Sequence, residues 1–340
     1  PALTGLMDDS FDARKRYAAD QLSGRGGGPV RLGKSTSNLF RARMPGPVRR
    51  LDLRGFRHVL DVDVAGLEAD VEGLTTYEDL VAATLPHQCM PQVVPQLKTI
   101  TIGGAVAGGG IESSSFRYGF SHEAINELEV LLADGSTVVA TPDNEHRDLF
   151  FGFPNSYGTL GYALRIRTRL APVKPYVHLR HLRVRDQRDY FTELEKQCNG
   201  PADFVDGTVF GPDDLVLTEG TFSDHAPAVS DYTWLKIYYR SLRERSTDDL
   251  TIHDYLWRWD ADWFWCSRMF GMQRPIPRFL LGKFMLHSRR YTRLMALDHR
   301  WRILERLGRT RDLENVIQDV QIPVRHAAEF LGFLLEEVPI

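Results

Sequence analysis

The sequence predicts an α+β protein of two domains. Three observations carry this. At about 150 residues per domain, its 340 residues are long enough for two. Short apolar–polar alternations suggest half-buried strands, and an Asp-Gly pair between apolar runs suggests a hairpin. Pro172 and Pro175 close one long strand, and a second series of strands and helices starts near Tyr176. The expected division is 1–175 and 176–340.

The elements follow in order. A helix is expected over 10–22, then a hinge rich in glycine over 24–28. Strands are expected over 30–32, 59–64 and 67–71, the last two from alternations such as Asp61-Val62-Asp63-Val64. Thr75 or Thr76 is placed to cap a helix reaching Leu85, with Glu78 and Asp79 in its first turn. A glycine cluster over 103–110 follows an extended stretch marked by Pro91 and Pro95. Asp134-Gly135 between apolar runs predicts a tight hairpin over 128–140. A short helix over 147–151 and a strand over 162–170 complete the first domain. In the second, strands are expected over 178–184, 204–210, 215–218 and 234–239, with a helix over 190–197. From Leu250 onward the sequence turns aromatic, basic and helical.

Composition narrows the function. With 43% hydrophobic and 26% charged residues, the chain is neither collagen-like, disordered nor a disulfide scaffold. It has no apolar run of 18 residues and no signal-peptide pattern, so a cytoplasmic location is expected. Pro1 in place of Met implies a processed chain or a piece of a longer one. Cys89, Cys198 and Cys266 show no CxxC spacing, which points to a reducing compartment. His178 and His181 fall on opposite faces of a strand and cannot share an ion, so no metal site is expected.

The net charge of -3 is unevenly spread. The stretch 268–311 carries twelve Lys/Arg against two acids, Asp298 and Glu305, leaving the remainder acidic. Apolar residues are interleaved with these cations, the pattern of a helix at an anionic membrane surface. The acidic remainder argues against nucleic acid.

Residues 28–35 (GPVRLGKS) match a phosphate-loop pattern, but the strand-like 30–32 lies inside the supposed loop, and Pro45 and Pro47 interrupt the helix it needs. Residues 103–110 lack the Rossmann spacing, although their apolar neighbours imply packing, and packed glycines can present N–H groups to an anion or a flat ring. Within 255–265 stand Tyr255, Trp257, Trp259, Trp263, Phe264 and Trp265, suited either to a core cluster or to a wall for an apolar substrate. Neither a G-x-S-x-G elbow nor H-E-x-x-H occurs.

The run 95–119 (PQLKTITIGGAVAGGGIESSSFRYG), together with LLADGS at 131–136 and GTLG at 158–161, resembles the flavin-binding core of 24-dehydrocholesterol reductase-like proteins. The tryptophan-rich 251–267 (TIHDYLWRWDADWFWCS) and VIQDV at 316–320 extend the resemblance into the second domain. The wider group is the vanillyl-alcohol oxidase / p-cresol methylhydroxylase (PCMH) flavoproteins. The resemblance implies a two-subdomain PCMH-type FAD-binding domain followed by an α+β cap. It implies a chain continuing well past 316–320, so this one is expected to be truncated.

By this resemblance the FAD-contacting residues are Lys34, Ser35, Thr36, Ser37, Asn38 and Leu39 in a first loop. Next come Gly103, Gly104, Gly109, Gly110, Ile111, Glu112, Ser113, Ser114, Ser115, Tyr118 and Gly119, and then Gly158, Thr159 and Gly161. These loops offer neither His nor Cys for a tether, so FAD is expected to be non-covalent, with NADPH as electron donor. The expected reaction reduces an isolated C=C bond in an apolar lipid, either a sterol side chain or an unsaturated or methylene-bearing fatty acyl chain. Glu112, His122 and Tyr255 are the candidate proton donors. Oxidation of an alcohol or hydroxy acid by the same fold is the alternative. Homodimers are common among flavoproteins of this fold, so the resemblance leaves a homodimer open while the sequence itself fixes no oligomeric state.

Overall fold

The computed structural model describes residues 10–23, 28–33, 48–263, 266–301 and 320–338. Helix α1 (Phe11–Leu22) is capped by Ser10, whose Oγ accepts the Ala13 N–H. Strands β1 (Val30–Leu32) and β2 (Arg49–Leu51) form a parallel pair. The chain then folds β3 (Val59–Asp63), β4 (Glu68–Glu72), α2 (Tyr77–Thr84) and β5 (Cys89–Pro91). Thr76 caps α2. The glycine cluster, anticipated as a packed loop, is helix α3 (Ile102–Gly108). A short α4 (Ser115–Tyr118) precedes the hairpin β6 (Ile125–Leu131) and β7 (Thr137–Ala140), then α5 (Arg147–Gly152) and β8 (Tyr162–Pro172).

The second half runs β9 (Tyr176–Val184), α6 (Gln187–Cys198), β10 (Phe204–Gly211) and β11 (Asp214–Ser223). It continues with α7 (Tyr238–Ser241), β12 (Thr247–Thr251), α8 (Ile252–Leu256), α9 (Pro275–Met285), α10 (Ser288–Trp301) and α11 (Val324–Glu337). The expected strand over 234–239 is not formed. Trp234 instead donates its indole N–H to Arg278 O, and the segment turns into α7. The free edge of β9 is taken by the polar β12.

The chain divides into two compact units. The first comprises 1–92, 99–110 and 120–172, and the second 93–98, 111–119 and 173–340. In the first, β3-β4-β8-β6-β7 is an antiparallel sheet to which β5 adds along β8. On one face of β8, Arg165, Arg167 and Arg169 stand between acidic neighbours. Glu72, Asp70 and Glu68 lie opposite them on β4, and Glu129 and Glu127 lie opposite Arg165 and Arg167 on β6. The alternate residues Leu164, Ile166 and Leu170 are buried. Helix α1 ties down through Arg14 to the fully buried Glu72, which also receives His58.

Glycine permits three backbones to touch here. A Cβ on Gly73 would lie 1.9 Å from Ala163 O of β8, and one on Gly103 would lie 2.6 Å from Gly73 O. The Gly103 and Ile102 N–H groups bond Gly73 O and Thr75 O, and Thr101 Oγ1 accepts from Gly104 N. These outside partners hold a glycine-rich segment helical against its low propensity.

In the second unit the antiparallel sheet runs β10-β11-β9-β12. One face packs under α6 and α11, where Tyr190, Leu215, Leu217 and Leu331 are buried together. Gly207 leaves room for the Tyr190 phenol, 1.8 Å from where a Cβ would stand. The other face carries Phe204 and Asp206 of β10, Thr218 of β11 and His181 of β9. As the strand pattern requires, His178 is exposed and His181 buried. Among the described residues, no group of His, Cys, Asp and Glu could hold a metal ion, and no helix is long and apolar enough to cross a membrane.

His181 Nδ1 lies 2.9 Å from Thr218 Oγ1. Burial lowers its pKa to about 4, partly offset by Asp248 and reinforced by Arg245. An unfolded histidine titrates near ~6.5. His181 therefore takes no part in pH dependence above that value. As pH falls from ~6.5 toward 4, the unfolded state gains a proton that the folded state refuses, and stability drops by up to about 3 kcal/mol. Urea unfolding across this window should show the loss in the native chain and a flatter profile for His181→Gln. Parallel profiles would refute it.

Candidate functional site

Helix α3 ends in the first unit at Gly109, whose φ of +79° is left-handed and around whose missing Cβ nothing lies within 4 Å. The Gly109 and Gly110 N–H groups both bond Ala105 O. With the first-turn N–H groups also spent inside the protein, α3 does not offer the free N–H groups that the glycine cluster suggested. What it does present is bare backbone at its C-terminal exit. The loop before β8 meets that exit: Tyr157 N–H bonds Ala107 O at 3.0 Å. Asn155, Tyr157 and Gly158 all take positive φ, and Gly161, at φ +134°, would set a Cβ 2.5 Å from Leu131 O. The turn before Gly158 thus lies against the last residues of α3, next to Gly109 and Gly110 in sequence. Ser121 N–H closes on Gly110 O at 2.9 Å, which brings His122 to the same exit.

His122 stacks on Phe120 with ring centroids 5.5 Å apart, and its buried Nδ1 has no protein partner. Burial lowers its pKa, so the ring is neutral at physiological pH. Ser156 Oγ is likewise buried without a partner.

Between Gly110 and Phe120 the chain belongs to the second unit. There Ser113 O accepts the Val205 N–H of β10, Arg117 reaches Ala202 O, and Ser115 Oγ accepts the Glu112 N–H. Glu112 Oε1 lies 2.8 Å from Arg258 Nη2, as does Asp206 Oδ2. The Arg258 side chain is 1% exposed. Its Nη1 donates to Tyr255 O, and its guanidinium carbon sits 4.1 Å from the centre of the Tyr255 ring. Burial opposes its charge, but Tyr255, Glu112, Tyr238 and Asp206 outweigh this and the proton is held more firmly. The Tyr255 hydroxyl pairs with Ser113 Oγ at 2.9 Å, and burial raises the phenol far above its usual range. Glu112 Oε2 is buried without a partner.

The structure therefore joins Glu112, Ser113 and Tyr255 in one cluster of the second unit, while His122 belongs to the first. Ser114 is buried, Ile111 is exposed, Gly119 has φ +75°, and burial raises the Tyr118 phenol. Thr159 is exposed and donates its hydroxyl to Ser156 O. Lys34, Ser35, Thr36, Ser37, Asn38 and Leu39 lie outside the described residues, as do Phe264, Trp265 and 316–319. Tyr255, Trp257, Trp259 and Trp263 are buried, as a core cluster requires. Sequence reasoning missed Arg258 and Asp206. The available signal was a cation set between Trp257 and Trp259.

Residues 26–141 match the FAD binding domain family. Fold and match together define the class, an α+β flavoprotein domain of the PCMH type. Within it the chain is 24-dehydrocholesterol reductase-like. It is 34% identical over 186 residues to a Delta(24)-sterol reductase of Arabidopsis thaliana, covering 52% of this chain and 33% of that protein. It is 30% identical over 285 residues to the Delta(24)-sterol reductase of Homo sapiens, covering 78% and 53%. The chain thus spans about half or less of the length of these relatives.

The first unit fits an extended dinucleotide in two respects. The Gly109 backbone offers a surface that a Cβ would fill, and Ser156 Oγ and His122 Nδ1 are unspent polar atoms for a ligand.

In the second unit, replacing the buried Arg258 by Met should cost about 3–5 kcal/mol, because Glu112 and Asp206 lose their shared cation. Glu112→Gln should cost about 1–2 kcal/mol. Urea unfolding of both variants measures this, and equal losses would show that the guanidinium is not the hub.

Proposed function

We propose that this chain is the FAD-holding part of an oxidoreductase that reduces an isolated C=C bond of a lipid. A sterol side chain is the first substrate, and an unsaturated or methylene-bearing fatty acyl chain the second. The observation that carries this is the FAD binding domain on a chain whose similarity to Delta(24)-sterol reductases continues into the second unit. FAD, when bound, supplies the hydride. NADPH is the proposed electron donor. Non-covalent binding follows from the assigned loops 34–39, 103–119 and 158–161, which contain neither His nor Cys.

Saturating an alkene also needs a proton for the second carbon. The three candidate groups differ in state. Tyr255 keeps its proton and suits transfer only to a strongly basic centre. His122 is neutral, with Nδ1 unspent. Glu112 serves Arg258 through one oxygen and leaves the other free. We assign Glu112 to positioning and the proton to Tyr255; the neutral His122 has its Nδ1 left to bind a ligand rather than an acidic proton to give.

The test is spectroscopic. Purified protein supplied with FAD should show a flavin spectrum that passes to the supernatant after acid precipitation. Under anaerobic conditions NADPH should bleach it, and a sterol with a side-chain double bond should restore it. Bleaching by an alcohol or hydroxy acid alone would instead establish the dehydrogenase reading. Flavin left in the pellet would overturn the non-covalent assignment.

A further inference from the structure

Helix α9 is inside out. Its one buried residue is a cation, Arg278, at 0% exposure. The Arg278 guanidinium donates to Trp234 O at 2.6 Å, to Met272 O and to Asp262 Oδ1, and Trp234 returns its indole N–H to Arg278 O. The apolar side chains point the other way. Ile276, Phe279, Leu280 and Phe284 are 73%, 61%, 76% and 73% exposed. Ile276, Phe279 and Leu280 share one helical face, and Gly282, at φ +64°, kinks the helix just before Phe284. Leu235 is exposed beside this face, and Trp234 stacks on Phe279 at 5.7 Å. Burying a charge while exposing four large hydrophobes runs against ordinary partition, so such a surface marks an interaction site.

The surrounding charge selects the occupant. Across 274–293 there are six Lys/Arg and no Asp or Glu; of these Arg278 is buried and Lys283 pairs with the exposed Asp231, which leaves Arg274, Arg289, Arg290 and Arg293 as the cations of this surface. Arg274, Lys283, Arg289 and Arg293 are exposed, and Arg290 lies 4.4 Å from the Phe284 ring centre. In α10, Leu294 and Leu297 add exposed apolar surface. The apolar side chains protrude instead of lining a groove, so they need a yielding layer more than a shaped partner. A second copy docked face to face would set cation against cation.

We propose that α9 is an interfacial anchor that sinks Ile276, Phe279, Leu280 and Phe284 into an anionic lipid bilayer surface, with the flanking Lys and Arg at headgroup level. This goes beyond the flavin reading and does not depend on it.

Flotation tests the anchor with the whole chain, on vesicles of phosphatidylcholine alone and of phosphatidylcholine with phosphatidylserine. The chain should float with the anionic vesicles only, and less as salt rises. Ile276→Asn with Leu280→Asn should weaken binding about tenfold or more per side chain. Arg274→Glu with Arg293→Glu should abolish the preference for anionic lipid. All four side chains are exposed, so thermal unfolding should be unchanged in both double variants. No flotation, equal flotation on both lipids, or flotation indifferent to the apolar pair would overturn the proposal. So would a dimer, seen by sedimentation equilibrium, that the apolar pair dissolves.

Discussion

The close approach of Ala163, Gly73 and Gly103 is the constraint from which the placement of α3 and the loops at its exit follows. A side chain at either glycine would push α3 away from β8 by more than a packing adjustment can absorb. With α3 pressed there, its exit at Gly109 and Gly110 has a fixed position, and the Tyr157 N–H and Ser121 N–H bonds lock the neighbouring loops to it. Every candidate flavin contact in the described part of the first unit hangs on that arrangement. The glycines act through what they leave out, and only secondarily through their N–H groups.

Elsewhere the fold relies on charges taken out of water. Glu72 pairs with Arg14 and His58, Arg258 with Glu112 and Asp206, and Arg278 with Asp262. Such pairs add little net stability over apolar residues of similar size, yet breaking one strands its partner at high cost. Each therefore works as a fastener for distant segments. Arg258 joins the 111–119 segment and β10 to the aromatic stretch, and Arg278 roots α9 while turning its hydrophobes outward.

Local chemistry was legible in the sequence. Thr76, one of the two expected caps, begins α2, Asp134-Gly135 turns a hairpin, and the alternation in β8 and β9 separates buried from exposed positions. What escaped notice depends on remote partners. The cluster 102–108 reads as a loop because nothing nearby announces Gly73 O and Thr75 O. The strand Thr247–Thr251 (TDDLT) is too polar to be recognised, and its place follows from the open edge of β9. The run 234–239 has strand-like composition, but Trp234 is claimed by Arg278. Arg258 and Asp206 read as surface charges, because composition alone cannot show that a cation 146 positions beyond Glu112 will neutralise it.

The detour of 93–98 and 111–119 into the second unit also orders events at the ribosome. When Pro172 has been made, every strand of the first sheet exists. Glu112 and Ser113 are then still without Arg258 and Tyr255. At about 5–20 residues per second, the 86 positions from Pro172 to Arg258 take roughly four to seventeen seconds to translate. For that interval a nascent sheet carries a strand-seeking loop with an uncompensated carboxylate. Chain growth therefore imposes a waiting period on the 111–119 segment, whose partners in the second unit are the last of its contacts to be made.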